Sequence, residues 1–207
     1  MTITTAPVRR RASRSTGSGF TLVELMAVVG IIAILIAILL PVLSKARVAA
    51  SRTACRAQLA DIGRLFQMYL NDTKGRVMRV NPLPSVQPPL PSNADLPAVV
   101  EVFDPYTKNV RAGWRCPADV ITVEYPTSKP ETRTYFEREG TSYEYNAFIN
   151  ARHGWDQWQD VLTTAKKRGV TADRLWIFKD FENFHQKRGV AGSTNFLFAD
   201  WHVGDFD

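Results

Sequence analysis

Near its C-terminus the chain gathers side chains able to ligate a metal: His185, Asp200, His202 and Asp205, with Asp180 and Glu182 adding oxygen donors. In an extended strand Asp200 and His202 would point to one face and Asp205 to the other, so a single ion would need a turn between them. The competing reading makes them charged strand ends and loop residues in solvent. Two thiols, Cys55 and Cys116, are the only cysteines. Glu24 is the only charged residue between positions 20 and 43. No nucleophile elbow, phosphate-binding loop, dinucleotide fingerprint or paired-cysteine zinc spacing occurs. With three histidines and no supporting constellation, the expectation is a protein that is not an enzyme.

The elements that must carry these groups begin with an apolar run. Residues 25–43, LMAVVGIIAILIAILLPVL, contain no charged and no polar side chain. As a helix rising about 1.5 Å per residue, the run is long enough to span a hydrocarbon core of about 30 Å. Pro41, inside it, lacks the N–H of a helix hydrogen bond and should kink or loosen the helix. Beyond residue 44 the pattern turns amphipathic: Cys55, Leu59, Ile62, Phe66 and Tyr69 fall on one face. Arg47, Arg52, Arg56 and Arg64 are then left for the wet side, for lipid headgroups or for neighbouring subunits. Turn residues at 71–75 should end the helix, with Gly75 as a left-handed cap. One helix from Phe20 to about Asn71 is expected, its first half in the membrane and its second packed on a head.

Six of the twelve prolines stand between residues 82 and 97, which predicts an extended surface loop. A short helix is expected over 98–103 and another over 155–167, where Trp155, Trp158, Leu162 and Ala165 share a face. Strands are expected over 120–125, 142–148, 174–179 and 195–206, the last bent into a hairpin near Asp200-Trp201. The 19 aromatic residues after position 80 supply ample apolar surface for a head built on a small antiparallel sheet. The fold class is therefore α+β, a long N-terminal helix on a small antiparallel sheet.

Charge sets the topology. Residues 1–19 hold four arginines, Arg9, Arg10, Arg11 and Arg14, and no acid. Basic residues ahead of a single apolar helix keep the N-terminus in the cytoplasm and send the remainder across. A secretory signal peptide has a shorter apolar region, followed by a small-residue cleavage site that is not found here. On the far, oxidising side Cys55 and Cys116 have two outcomes: a disulfide tying helix to head, or two separate thiols. From residue 80 onward there are 14 basic and 17 acidic residues, so the formal net charge of +6 comes from the leader and stem. A nucleic-acid groove in the head has little electrostatic support, and no nucleic-acid partner is expected.

The segment Gly19-Phe20-Thr21-Leu22-Val23-Glu24-Leu25, after a basic leader and before the apolar helix, resembles the processing site of type IV prepilins and type II secretion pseudopilins. The resemblance implies a pilin-like fold, cleavage between Gly19 and Phe20 by a prepilin peptidase, and N-methylation of Phe20. It divides the chain into a cleaved leader (1–19), a transmembrane and assembly helix (20–43), an amphipathic continuation (44–75) and a head (76–207). It places Glu24 against the N-terminal amine of a neighbouring subunit, where a buried charge pair would fix register more than add stability. A proline at the place of Pro41 would let the helix loosen in a filament. The implied partners are other pilin or pseudopilin subunits, an inner-membrane assembly platform, its ATPase and membrane lipid. The implied location is the bacterial inner membrane, and then a surface or periplasmic filament. A membrane-anchored binding module or adhesin of the minor-pilin kind is the alternative.

In the head, Cys116-Pro117-Ala118-Asp119, Ser142-Tyr143-Glu144-Tyr145-Asn146 and the phrase from Asn195 to Val203 resemble prepilin-like proteins of planctomycetes, whose C-terminal motif runs from a histidine through nine residues to Asp-Gly. Here His185 stands fifteen positions before Asp200, and Trp201 replaces the glycine. A positive-φ turn at that place is therefore in question, as is the role of His185. The pseudopilin resemblance also makes an oxygen-lined calcium site at Asp200 and Asp205 an expectation; no other cofactor is implied.

Overall fold

The computed structural model describes residues 20–81, 96–108, 111–120, 134–149, 156–186 and 189–206. The chain divides into two units, residues 1–44 and 45–207. A 51-residue helix, α1 (Leu22–Asp72), contributes to both. In the first unit every described residue is exposed, among them Leu25, Ile31, Leu35 and Leu39. An apolar surface of this extent marks a segment made for lipid or for other protein. It is the one helix among the described residues long and apolar enough to cross a membrane. The helix is continuous through Pro41, and the Ser44 hydroxyl donates to the Pro41 carbonyl at 3.0 Å.

In the second unit α1 turns a face inward. Cys55, Leu59, Ile62, Gly63, Phe66 and Leu70 are buried, at the helical spacing the sequence announces, while Tyr69 is only partly covered. Gly63 lets the sheet approach closely: a methyl group there would meet the Leu197 side chain at 3.2 Å. The helix ends in a Schellman turn. Gly75 N–H donates to Leu70 O (2.6 Å) and Lys74 N–H to Asn71 O (3.3 Å). The left-handed cap position thus falls to Lys74, at φ 56°, one residue earlier than the glycine that the composition suggests; Gly75 follows at φ 80°.

Four strands, β1 (Tyr143–Tyr145), β2 (Trp176–Asp180), β3 (Phe196–Phe198) and β4 (Val203–Gly204), form an antiparallel sheet in the order of the chain. This is the α+β, pilin-like arrangement of a long apolar N-terminal helix and a small antiparallel sheet. β1 is shorter than the expected 142–148: Asn146 N–H still donates to Ile177 O (2.9 Å), but beyond it the side chain takes over, Nδ2 donating to Trp176 O (2.7 Å) and Oδ1 accepting from Phe148 N–H (2.9 Å). The helix expected over 98–103 is two single turns, α2 (Val99–Val102) and α3 (Asp104–Thr107). Further along are α4 (Tyr135–Glu139) and α5 (Trp158–Lys167). Residues 121–125 of the strand expected over 120–125, Trp155 at the expected start of α5, and residues 82–95 of the proline loop expected over 82–97 lie outside the described residues.

Phe66 is the hub of the core. Its ring makes edge contacts with Tyr145, Trp158 and Phe178 at 5.5–6.2 Å, and Trp201 lies 6.2 Å away. Trp114, buried, stacks on Phe103 at 5.3 Å. Each such aromatic pair adds about 0.5–1.5 kcal/mol beyond area burial.

Candidate functional site

At the start of α1 the backbone N–H groups of the first turn lack helical acceptors. Thr21 and Glu24 answer this locally. The Thr21 hydroxyl accepts from Glu24 N–H (3.2 Å), while Glu24 Oε2 accepts from Thr21 N–H (2.9 Å) and from the Thr21 hydroxyl (2.8 Å). This is a capping box, readable in the sequence as Thr-x-x-Glu ahead of an apolar run. The pairing expected of Glu24 with a neighbouring subunit's amine left out this local partner, although Thr21 stands three residues before it. Phe20 is exposed next to the cap. Gly19 lies outside the described residues.

The second constellation is buried between α1 and the sheet. The structure joins Cys55 of α1 to Cys116 in a disulfide, with a Cα–Cα distance of 5.2 Å across 61 residues of chain. His185 Nε2 lies 3.8 Å from Cys116 Sγ and 3.4 Å from Asp180 Oδ2, and both side chains are fully buried. Asp180, at the end of β2, accepts through Oδ2 from Asn195 N–H (2.7 Å) and Asn195 Nδ2 (2.9 Å). Asn195 Oδ1 in turn accepts from Arg52 Nε (3.3 Å), and Arg52 closes the chain on Asp205, reaching Oδ2 at 2.6 Å. Gly192, at φ 83°, makes room for this: a side chain there would overlap the Arg52 guanidinium. The three phrases of the head meet here. Asp119 Oδ2 accepts from the Ser142 hydroxyl (2.7 Å), and Ser142 Oγ accepts from Cys116 N–H (3.0 Å). Asp119 also accepts from Tyr135 and Phe136 N–H, fixing the start of α4.

The residues singled out near the C-terminus are distributed differently from a shared ion site. Asp200 is engaged by His202, through both the backbone N–H and Nδ1. Asp205 is engaged by Arg52, and Glu182 accepts from the Tyr135 hydroxyl at 3.2 Å. Among the described residues, the one group of three or more His, Cys, Asp or Glu donors close enough to share an ion is Cys55, Cys116 and His185. Two of the four arginines assigned to the wet side are likewise turned inward: Arg52 as above, and Arg56, which donates to Val203 O at 2.7 Å. Arg64 pairs with Asp61 on the exposed face. Helical periodicity places these arginines at the border of the buried stripe, but only the fold supplies acceptors from residues 195–205.

At the β3–β4 turn, Trp201 holds φ 75°, the conformation a glycine would take there. The turn is therefore kept and glycine is not. In exchange the indole reaches Phe66 and Trp158 at 6.1–6.2 Å.

No curated protein and no solved structure matches the chain. Residues 14–40, which include Gly19, Phe20, Glu24 and most of the apolar run, match the family model of the prokaryotic N-terminal methylation motif, the mark of a pilin- or pseudopilin-like precursor.

Proposed function

We propose that the protein is a structural subunit of a type IV pilus or type II secretion pseudopilus. It is made as a precursor, anchored by a single pass with its N-terminus in the cytoplasm, cut between Gly19 and Phe20 by a prepilin peptidase, and methylated on Phe20. It then assembles with other subunits through α1 under an inner-membrane platform and its ATPase. The observation that carries the reading is the methylation motif over residues 14–40. Two features support it: the exposed apolar half of α1 wants lipid in the membrane and protein in a filament, and Glu24 is the lone acid on that half. Co-expression with a prepilin peptidase tests it: the mature chain should begin with N-methylated Phe20 by mass spectrometry, and Gly19→Trp should retain the leader. A wild-type chain left at full length by an active peptidase, or a Gly19→Trp chain of mature size, overturns it.

A second reading, a minor subunit whose head captures a ligand, is favoured by one cavity. It measures about 610 Å³, within the range of small-molecule sites, and Phe148, Val170, Leu175 and Trp176 line it together with Arg168 and Arg174. Filaments built of this subunit support the first reading; labelling confined to filament tips supports the second.

A further inference from the structure

We propose that Cys55, Cys116 and His185 form a zinc-type metal site in the thiol form of the chain, and that this site and the disulfide are alternative states of one cross-link. The three donor atoms lie within 4.8 Å of one another and all three residues are buried. A tetrahedral zinc centre has Zn–S near 2.3 Å and Zn–N near 2.0 Å, so its S···N edges are about 3.5 Å and its S···S edge about 3.8 Å. The Cys116 Sγ–His185 Nε2 separation of 3.8 Å is already close to such an edge. Once the S–S bond is absent, rotation of the two cysteine side chains can open the other. Asp180 Oδ2, 3.4 Å from the same imidazole nitrogen, stands outside this group of three, and the fourth position is left to a solvent molecule.

The setting points the same way. His185 and Asp180 are fully buried side by side, with Nε2 and Oδ2 turned toward each other. A purely structural disulfide needs no histidine beside it, whereas a cation bound through Nε2 gives His185 a use. Two thiolates and an imidazole are a soft set suited to zinc rather than to calcium.

The ribosome delivers both cysteines as thiols, so no reductant is needed to reach the metal form. Binding releases two thiol protons to solvent, and the Nε2 lone pair of neutral His185 binds the ion. Oxidation removes two electrons from the two thiolates, forms the S–S bond and frees the ion. The electrons pass to the disulfide of a thiol-exchange protein, which takes two protons and becomes two thiols. Helix and head are thereby tied before oxidation as well as after it.

The test uses the full chain in detergent, oxidised or reduced with a phosphine, titrated with Co²⁺. The reduced chain should take up one Co²⁺, with the visible bands of a tetrahedral site and a thiolate charge-transfer band, and the oxidised chain none. His185→Ala should weaken uptake more than about tenfold, since even outer-sphere partners are worth about 10–100-fold. Should that variant lose its secondary structure, His185→Cys, which restores a donor, carries the test and should bind. Absence of a tetrahedral spectrum in the reduced wild type, equal uptake by folded His185→Ala, or no uptake by folded His185→Cys overturns the proposal.

Discussion

Two neighbouring tyrosines show how much one hydroxyl depends on its surroundings. Tyr143 and Tyr145 lie on β1, both buried. The Tyr143 hydroxyl donates to Gln58 Oε1 at 2.6 Å, whereas the Tyr145 hydroxyl has no partner among the described residues. Tyr143→Phe should therefore cost about 1 kcal/mol, and Tyr145→Phe should be neutral or stabilising by up to about 1 kcal/mol, because it removes a desolvated hydroxyl. Denaturant melts of the two variants check this, and a larger loss for Tyr145→Phe than for Tyr143→Phe would contradict it. Burial holds both phenols above their ordinary value, and for Tyr143 the Asp180 and Asp119 carboxylates add to the effect. The folded chain keeps these protons after the unfolded chain has begun to lose them. The associated stability is complete below about pH 10 and falls above it. In an alkaline absorbance titration the two phenols should ionise only as the chain unfolds. Single residues of this kind are barely legible in a sequence: alternation marks Tyr143 and Tyr145 as inward, but the Gln58 partner sits 85 positions away. The Thr21–Glu24 cap is the opposite case, because its partners are three residues apart.

At the scale of elements, what the sequence displays is periodicity, and what it hides is the long-range bond. The inward face of α1, the β3–β4 hairpin and the Trp158–Lys167 helix follow from spacing alone. The meeting of Asp119 with Ser142, of Asp180 with Asn195 and of Arg52 with Asp205 does not, since each pair is 15 or more residues apart and involves side chains that look like ordinary surface polarity. The Cys55–Cys116 cross-link is partly legible, as two cysteines that either pair or remain separate. It closes 61 residues, so the loss of chain entropy in the unfolded state corresponds to about 4 kcal/mol. A double Cys55→Ala, Cys116→Ala variant should lose about that much. For a unit of this size that is on the order of 10 °C in melting temperature. It should still fold, because domains are stable by about 5–15 kcal/mol. Calorimetry of the variant against the oxidised wild type measures the difference, and a shift of only a degree or two would show that the bond is not what holds α1 to the sheet.

For the whole molecule, burial separates two kinds of apolar surface by position. The described core residues all lie between Cys55 and Ala199, in the second unit, and the described residues of the first unit are all exposed. The first half of α1 therefore contributes nothing to the core of the head, and its stripe of Leu, Ile and Val is a surface for other molecules. Burying such side chains favours transfer from water by roughly 25 cal/mol per Å², which drives the intact chain into lipid or detergent. A chain restricted to residues 45–207 keeps Cys55, Leu59, Ile62 and Phe66 on its helix and the whole sheet against them. It should remain in the supernatant after ultracentrifugation and melt in one cooperative transition, while the full chain fractionates with membranes. Co-sedimentation of the shortened chain with lipid, or the lack of a cooperative melt, would mean that residues 20–44 also serve the head. A soluble and cooperative head would leave them to anchorage and assembly, the division of labour that a processed filament subunit requires.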